Sequence, residues 1–349
     1  MEEKRFRNRI YWLTFFFSIL VIWVHSFNAE LYLGATEAAA QADALERILG
    51  EDLGQIAVPG FFMVSSYLFY RGFTWSRLLP KWKSRIQSIL IPYLLWNFLY
   101  YMGYVAVTRI PAITVLIGKQ PIPFDLAHLS EALINYAYNP VFWYLYQLIL
   151  LIALAPIIYP ICKRTVTGIP VLLLMAYALW NGWDFPHLNM DALFYTCTAA
   201  FISLHRECPS HFPETTPIGK QCLICFLAMF LTFAVLMALG RPGFLLYGRP
   251  LHAVLLRLWG VALSWLAFTC FPLPPAGDWI KHSFFLYAIH FAWVRLLNKA
   301  GALLLPPHPA AALTMFLLMP LFMLLISSFL VKLLRLAPPV LYRTLTGNR

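Results

Sequence analysis

His25 lies in the first long apolar run of the chain, residues 10–27, and is the one residue of that run that titrates near neutral pH. A charged imidazole in hydrocarbon costs several kcal/mol, so a histidine placed there is a functional-site candidate by default. Its ordinary pKa suits one task without a large shift: taking the proton from a hydroxyl as that oxygen attacks an activated carbonyl. A second set follows late in the chain. Ser283, Tyr287 and His290 are spaced by four and three residues, so a helix carries them on one stripe. His290 reads either as a second base or acceptor-orienting group, or as a packing histidine bonded to a neighbouring helix. Arg257 lies about 9 Å along the run 251–271 by helical rise, deep enough to require a partner or a water-filled cavity. It can snorkel to an interface, supply charge missing elsewhere, or hold an anionic acceptor, and the sequence leaves these open. The chain shows no G-x-S-x-G elbow and no apparent pairing of a cysteine with a catalytic base, so a covalent acyl-enzyme has no sequence support.

The elements that position these residues follow from composition. Of 349 residues, 61% are hydrophobic, 17% aromatic and only 12% charged, with a mean hydropathy of +0.69. A soluble globule of this length needs more polar surface, so the chain reads as an all-α, polytopic membrane protein. A hydrocarbon slab of about 30 Å takes roughly 20 apolar residues per helix. Ten runs qualify: residues 10–27, 56–70, 89–107, 141–161, 167–183, 188–204, 222–239, 251–271, 283–297 and 310–331. The second carries Pro59 and Gly60 near its start and the sixth begins close to Asp191, so either is expected as a partial or re-entrant span.

Charge tests this count independently. With a cytoplasmic N-terminus and ten spans, Lys and Arg gather in the cytoplasmic loops and the acids in the outer ones, as retention of positive charge requires. Both termini are therefore expected in the cytoplasm of a multi-pass protein of the plasma membrane. The net charge of +11 sits at helix ends on one face, where anionic lipid headgroups explain it, and nucleic acid is not an expected partner. The first helix lacks the short apolar region and small-residue cleavage site of a secretory signal and is expected to stay in place.

No domain boundary, repeat or low-complexity tract is visible, so residues 1–349 are expected to form a single integral-membrane domain. The two longest loops, 28–55 and 108–140, are expected outside, and within the latter residues 125–136 alternate at helical spacing as a short interfacial helix. The six cysteines, Cys162, Cys197, Cys208, Cys222, Cys225 and Cys270, offer no outer pair for a disulfide. Cys222 and Cys225 form a C-x-x-C with no second Cys or His pair at metal-ligand spacing and read as small packing residues; no metal site is expected.

The densest charge cluster, Arg71, Arg77, Lys81, Lys83 and Arg85, is interleaved with Trp75 and Trp82. It reads equally as an interfacial anchor and as a site for a phosphate-rich ligand whose base stacks on the aromatics. Tyr93, Trp96, Asn97, Trp143 and Gln147 are candidates for lining a channel or an acceptor site. Ordinary hydrogen bonding between helices is the alternative for each.

Together these residues carry a resemblance. His25 in the first helix, then Val58-Pro59-Gly60-Phe61-Phe62-Met63-Val64-Ser65-Ser66-Tyr67, then Lys83-Ser84-Arg85 leading to Ile91-Pro92-Tyr93-Leu94-Leu95-Trp96, resemble the integral-membrane acyltransferase 3 family. Phe142-Trp143-Tyr144-Leu145 resembles its tryptophan-bearing fourth helix, and Ser283-Phe284-Phe285-Leu286-Tyr287-Ala288-Ile289-His290 its late Ser-Phe-x-x-Tyr-x-x-His helix. The resemblance covers nearly the whole chain. It implies acyl transfer, usually of acetyl, from acyl-CoA in the cytoplasm to hydroxyls or amines of sugars on the outer side. Acyl-CoA is then a co-substrate rather than a resident cofactor, the acceptor a surface or lipid-linked carbohydrate, and His25 the general base.

The chain departs from the family's pattern at three places, one of them the smaller change of Ser66 for a glycine. Thr14 and Tyr11 stand where members carry a basic residue and an acid, so the face that Thr14, Ser18 and His25 share on one helix is polar but uncharged. The competing readings are a transporter or flippase for a lipid-linked sugar and a member that has lost catalysis. Transporters commonly show inverted repeats and helices broken in matching positions, and neither is visible in this sequence.

Overall fold

The computed structural model describes residues 2–111, 120–205, 220–239 and 250–347. Every regular element among them is helical, which satisfies backbone hydrogen bonds within each segment, as hydrocarbon demands. In chain order these are α1 (Glu2–Val24), α2 (Ala29–Leu33), α3 (Glu37–Arg47), α4 (Ala57–Tyr70), α5 (Leu78–Arg85) and α6 (Ile91–Val107). There follow α7 (Leu126–Asn135), α8 (Trp143–Ala153), α9 (Ala155–Lys163), α10 (Thr165–Trp180) and α11 (Met190–His205). The chain closes with α12 (Lys220–Leu239), α13 (Pro250–Cys270), α14 (Asp278–Lys281), α15 (Ser283–Leu304), α16 (Pro309–Leu334) and α17 (Pro339–Leu345).

All ten apolar runs are helical, and the chain is an all-α polytopic membrane protein. Among the described residues, five helical stretches are long and apolar enough to span alone: Glu3–Leu33, Glu37–Tyr70, Trp75–Val107, Leu251–Cys270 and Pro309–Leu334. A sixth arises if α8 and α9 count as one span. The run 141–161 is thus not the continuous helix that hydropathy predicts. It breaks at Leu154 because Pro156 has no N–H to offer the preceding turn, and the Leu154 carbonyl instead accepts from Ile157 and Ile158 at 2.9 and 3.0 Å.

The second run also differs from expectation. Pro59 and Gly60 do not interrupt it; α4 continues α3 through a π-helical turn, Ile48–Leu53, and a 3-10 turn, Gly54–Ile56. The segment 28–55, expected as a loop, is largely helical, because its alanines and acids favour helix even where hydropathy is low.

The chain folds as two compact units. The first comprises Met1–Trp75 and Leu154–Phe329. In it α1 packs on α4, α13 and α15, and α4 lies along α11. Small residues allow these approaches, as is usual between helices in lipid. A Cβ on Gly60 would stand 2.3 Å from the ring of Phe17, and Phe17 is fully buried. Hydroxyls then join the backbones, Ser66 Oγ donating to the Thr196 carbonyl at 2.7 Å and Ser203 Oγ to that of Tyr67 at 2.9 Å. Cys162, Cys197 and Cys225 are free thiols, whereas Cys270 is disulfide-bonded. Cys208 lies outside the described residues.

The second unit comprises Ser76–Ala153 and Leu330–Arg349. The interfacial helix expected at 125–136 is α7, opened by the Asp125 side chain accepting from His128 N–H at 2.8 Å. It docks on α6 through Tyr101, whose hydroxyl donates to the Pro123 carbonyl at 3.0 Å and accepts from Asp125 N–H at 3.1 Å. Tyr101, Val105, Ile122 and Ala132 form the buried cluster beneath.

Candidate active site

The regular ladder of α1 ends at Val24, and the last turn tightens around His25. His25 N–H bonds the Ile22 carbonyl at 3.1 Å and Ser26 N–H that of Trp23 at 3.0 Å, the three-residue spacing typical of a closing turn. The His25 ring projects from this turn, half-buried, against α15. Its centroid lies 5.2 Å from that of His290 at an interplanar angle of 39°, and 5.6 Å from Phe291, edge to face.

His290 is fully buried and fixed by its own helix. Its Nδ1 bonds the Tyr287 carbonyl at 2.5 Å. A carbonyl can only accept, so Nδ1 carries hydrogen and Nε2 of the neutral ring holds the lone pair. Nε2 is buried without a hydrogen-bond partner. Tyr287 stands beside it, ring centroids 5.6 Å apart, and reaches Phe61 of α4 at 6.5 Å. Ser283, one turn earlier on the same stripe, is buried. The two histidines separated by most of the sequence are thus one cluster: a buried imidazole with a defined tautomer beside a second, half-buried imidazole.

An acyltransferase domain, acyltransferase 3, is the family whose model matches residues 8–332. The chain belongs to the acyltransferase 3 family. Neither the curated proteins nor the solved structures give a match. In this acyltransferase the segment Val58 to Tyr67 lies on α4 against α1, and Ser283 to His290 opens α15.

The polar face of α1 below His25 is satisfied locally. Thr14 Oγ1 donates to the Ile10 carbonyl at 2.8 Å and Ser18 Oγ to that of Thr14 at 2.9 Å. Arg257 of α13 has the partners its depth requires. Its Nη2 donates to Gln55 Oε1 at 3.4 Å, and its Nη1 lies 3.8 Å from the Asp191 carboxylate.

The basic patch of the acyltransferase lies in the second unit. Lys81 and Arg85 are half-buried on α5 and Lys83 is exposed. Arg85 and Trp82 border a cleft of about 240 Å³ whose other walls include Ile86, Ile89, Ile149 and Ile152. The Trp82 indole donates to the Ile152 carbonyl at 2.9 Å, so its polar edge serves packing. Two channel candidates in the same unit are likewise engaged. Tyr93 Oη donates to the Ile134 carbonyl at 3.2 Å and its ring stacks on Phe142, while Trp96 Nε1 donates to the Leu345 carbonyl at 3.2 Å. Asn97 and Gln147 are buried and Trp143 is half-buried.

Three polar residues near His25 escaped the sequence reading: Asn28, Glu46 and Asn298, all buried. Asn298 had a legible signal, since it follows His290 by eight residues and so shares its helix face. Glu46 had none, being one acid among several in an acidic stretch.

Proposed function

We propose that this acyltransferase moves an acetyl group from cytoplasmic acetyl-CoA to a hydroxyl of a cell-surface or lipid-linked carbohydrate, in one step within a ternary complex. His25 takes the acceptor proton, the acceptor oxygen attacks the thioester carbonyl, the C–S bond breaks and CoA leaves as its thiolate, which then recovers a proton. The observation that carries this reading is the imidazole pair. His25 is half-buried, whereas His290, its ring centroid 5.2 Å away, is enclosed and has an Nε2 without a hydrogen-bond partner. An adjacent acceptor for an imidazolium proton is what a base in a low-dielectric site needs.

Lys81, Lys83 and Arg85 are assigned to the donor phosphates, because clustered cations recognise phosphate by charge and by directed N–H groups. The protein is placed in the plasma membrane with both termini cytoplasmic, where acyl-CoA and the basic face meet. Acyl-CoA is spent in each turnover, and membrane lipid and the carbohydrate are the other partners. Arg257 and Asp191, each about a third exposed, suit the hydroxyl-rich acceptor.

The test is release of CoA thiol from acetyl-CoA by protein in proteoliposomes, with solubilised cell-envelope glycan as acceptor. Thiol release dependent on the glycan, matched by base-labile acetyl on it, is the expected result. Movement of a labelled lipid-linked sugar without acetyl-CoA, and no thiol release, would overturn the reading in favour of a flippase.

A further inference from the structure

His25 stands where α1 ceases to hold itself. Beyond Val24 no helical ladder continues, and Ser26, Phe27 and Asn28 run on as a connection to α2. A base delivered from such a turn is only as well placed as the contacts that fix the turn, and misplacement by about 1 Å can cost two orders of magnitude in rate.

Ser26 Oγ donates to the Ile22 carbonyl at 2.5 Å and the Phe27 ring packs on Phe316, and the polar contacts from α15 come from one side chain. Asn298 of α15 donates from Nδ2 to the Ser26 carbonyl at 3.1 Å, and its Oδ1 accepts from Asn28 Nδ2 at 3.3 Å. The carboxamide therefore bridges the residue that follows His25 and the residue two further on. Asn28 is in turn held from α3, its backbone N–H donating to Glu46 Oε2 at 3.1 Å. All three side chains are buried, Asn298 at 4%, Asn28 at 2% and Glu46 at 0% exposure. A polar chain of this kind, closed off from water, is costly to break and geometrically specific.

The helix is as informative as the bonds. Asn298 and His290 are eight residues apart on α15, about 12 Å along one face. One rigid helix thus holds the buried imidazole directly and the neighbouring one through the turn that bears it.

We propose that Asn298 is a positioning residue for acyl transfer: it registers the His25 turn on α15 so that the His25 ring meets His290. The inference rests on the assignment of His25 as base. Asn298 acts through that turn and has no part in donor binding.

The experiment is steady-state kinetics of acetyl-CoA thiol release with cell-envelope glycan, on Asn298→Leu and on Asn28→Ala, beside His25→Ala. Asn298→Leu keeps the side-chain shape and removes both bonds. It should lower kcat at least tenfold while the KM for acetyl-CoA stays within twofold of wild type. Asn28→Ala removes only the second bond and should lower kcat about threefold, again with KM unchanged; it carries the test alone if Asn298→Leu does not insert. Wild-type kcat in the variant carrying the test, or kcat and KM disturbed together with a lowered unfolding midpoint, would overturn the inference. His25→Ala separates the two levels: if it retains wild-type kcat, the base assignment fails, and if it is inactive while Asn298→Leu is not, only the positioning role fails.

Discussion

The imidazoles of His25, on the closing turn of α1, and of His290, on the third turn's approach of α15, lie 5.2 Å apart with only His25 open to its surroundings. Under the proposed function this asymmetry divides the work between them. A ring without exposure cannot meet an acceptor, but it can orient and stabilise the one that does.

His290→Phe separates chemistry from packing at this position. Phenylalanine keeps an aromatic ring beside Tyr287 and His25, and removes both the bond to the Tyr287 carbonyl and the unpartnered Nε2. Transfer should fall at least tenfold while the unfolding midpoint, followed by fluorescence in detergent, stays near wild type. Full activity in this variant would reduce His290 to a space-filling residue.

Gly60→Ala tests the α1–α4 contact. The added methyl would stand 2.3 Å from the ring of Phe17, which is fully buried and cannot swing away. Overpacking of this kind costs about 1–3 kcal/mol. A lowered unfolding midpoint is expected, and Phe17→Leu in the same chain should recover much of it by making room. An unchanged midpoint in Gly60→Ala would show that α1 moves aside freely.

The sequence conveyed the helices and the two histidines because both signals are local. Hydropathy located all ten runs, and a lone titratable side chain in hydrocarbon marks itself at His25. The stripe Ser283, Tyr287, His290 is likewise a matter of helical spacing. What brings His25 to His290 is long-range packing, and no period in the chain encodes it. The break at Leu154 was signalled by Pro156, yet an apolar run on both sides concealed it. The helicity of 37–56 was hidden for the opposite reason, since Glu37, Asp43, Glu46 and Arg47 make the stretch too polar for a hydropathy window. Glu46 in particular looks like a solvated acid and is instead wholly buried against the Asn28 backbone.

The donor assignment predicts a KM effect. Lys83→Ala with Arg85→Ala should raise the KM for acetyl-CoA about fivefold or more and leave kcat nearly unchanged. Raising ionic strength should weaken donor binding in the wild type more than in the double variant, since salt screens exposed charge. An unchanged KM would return α5 to the role of an interfacial anchor.

The most direct measurement is glycan-dependent thiol release from acetyl-CoA by His25→Ala in proteoliposomes, with insertion and unfolding midpoint matched to wild type. Loss of a general base typically costs about 10²–10⁴ in rate, and a fall of at least 10² in kcat is predicted. Transfer at the wild-type rate in the alanine variant would contradict the account at its centre.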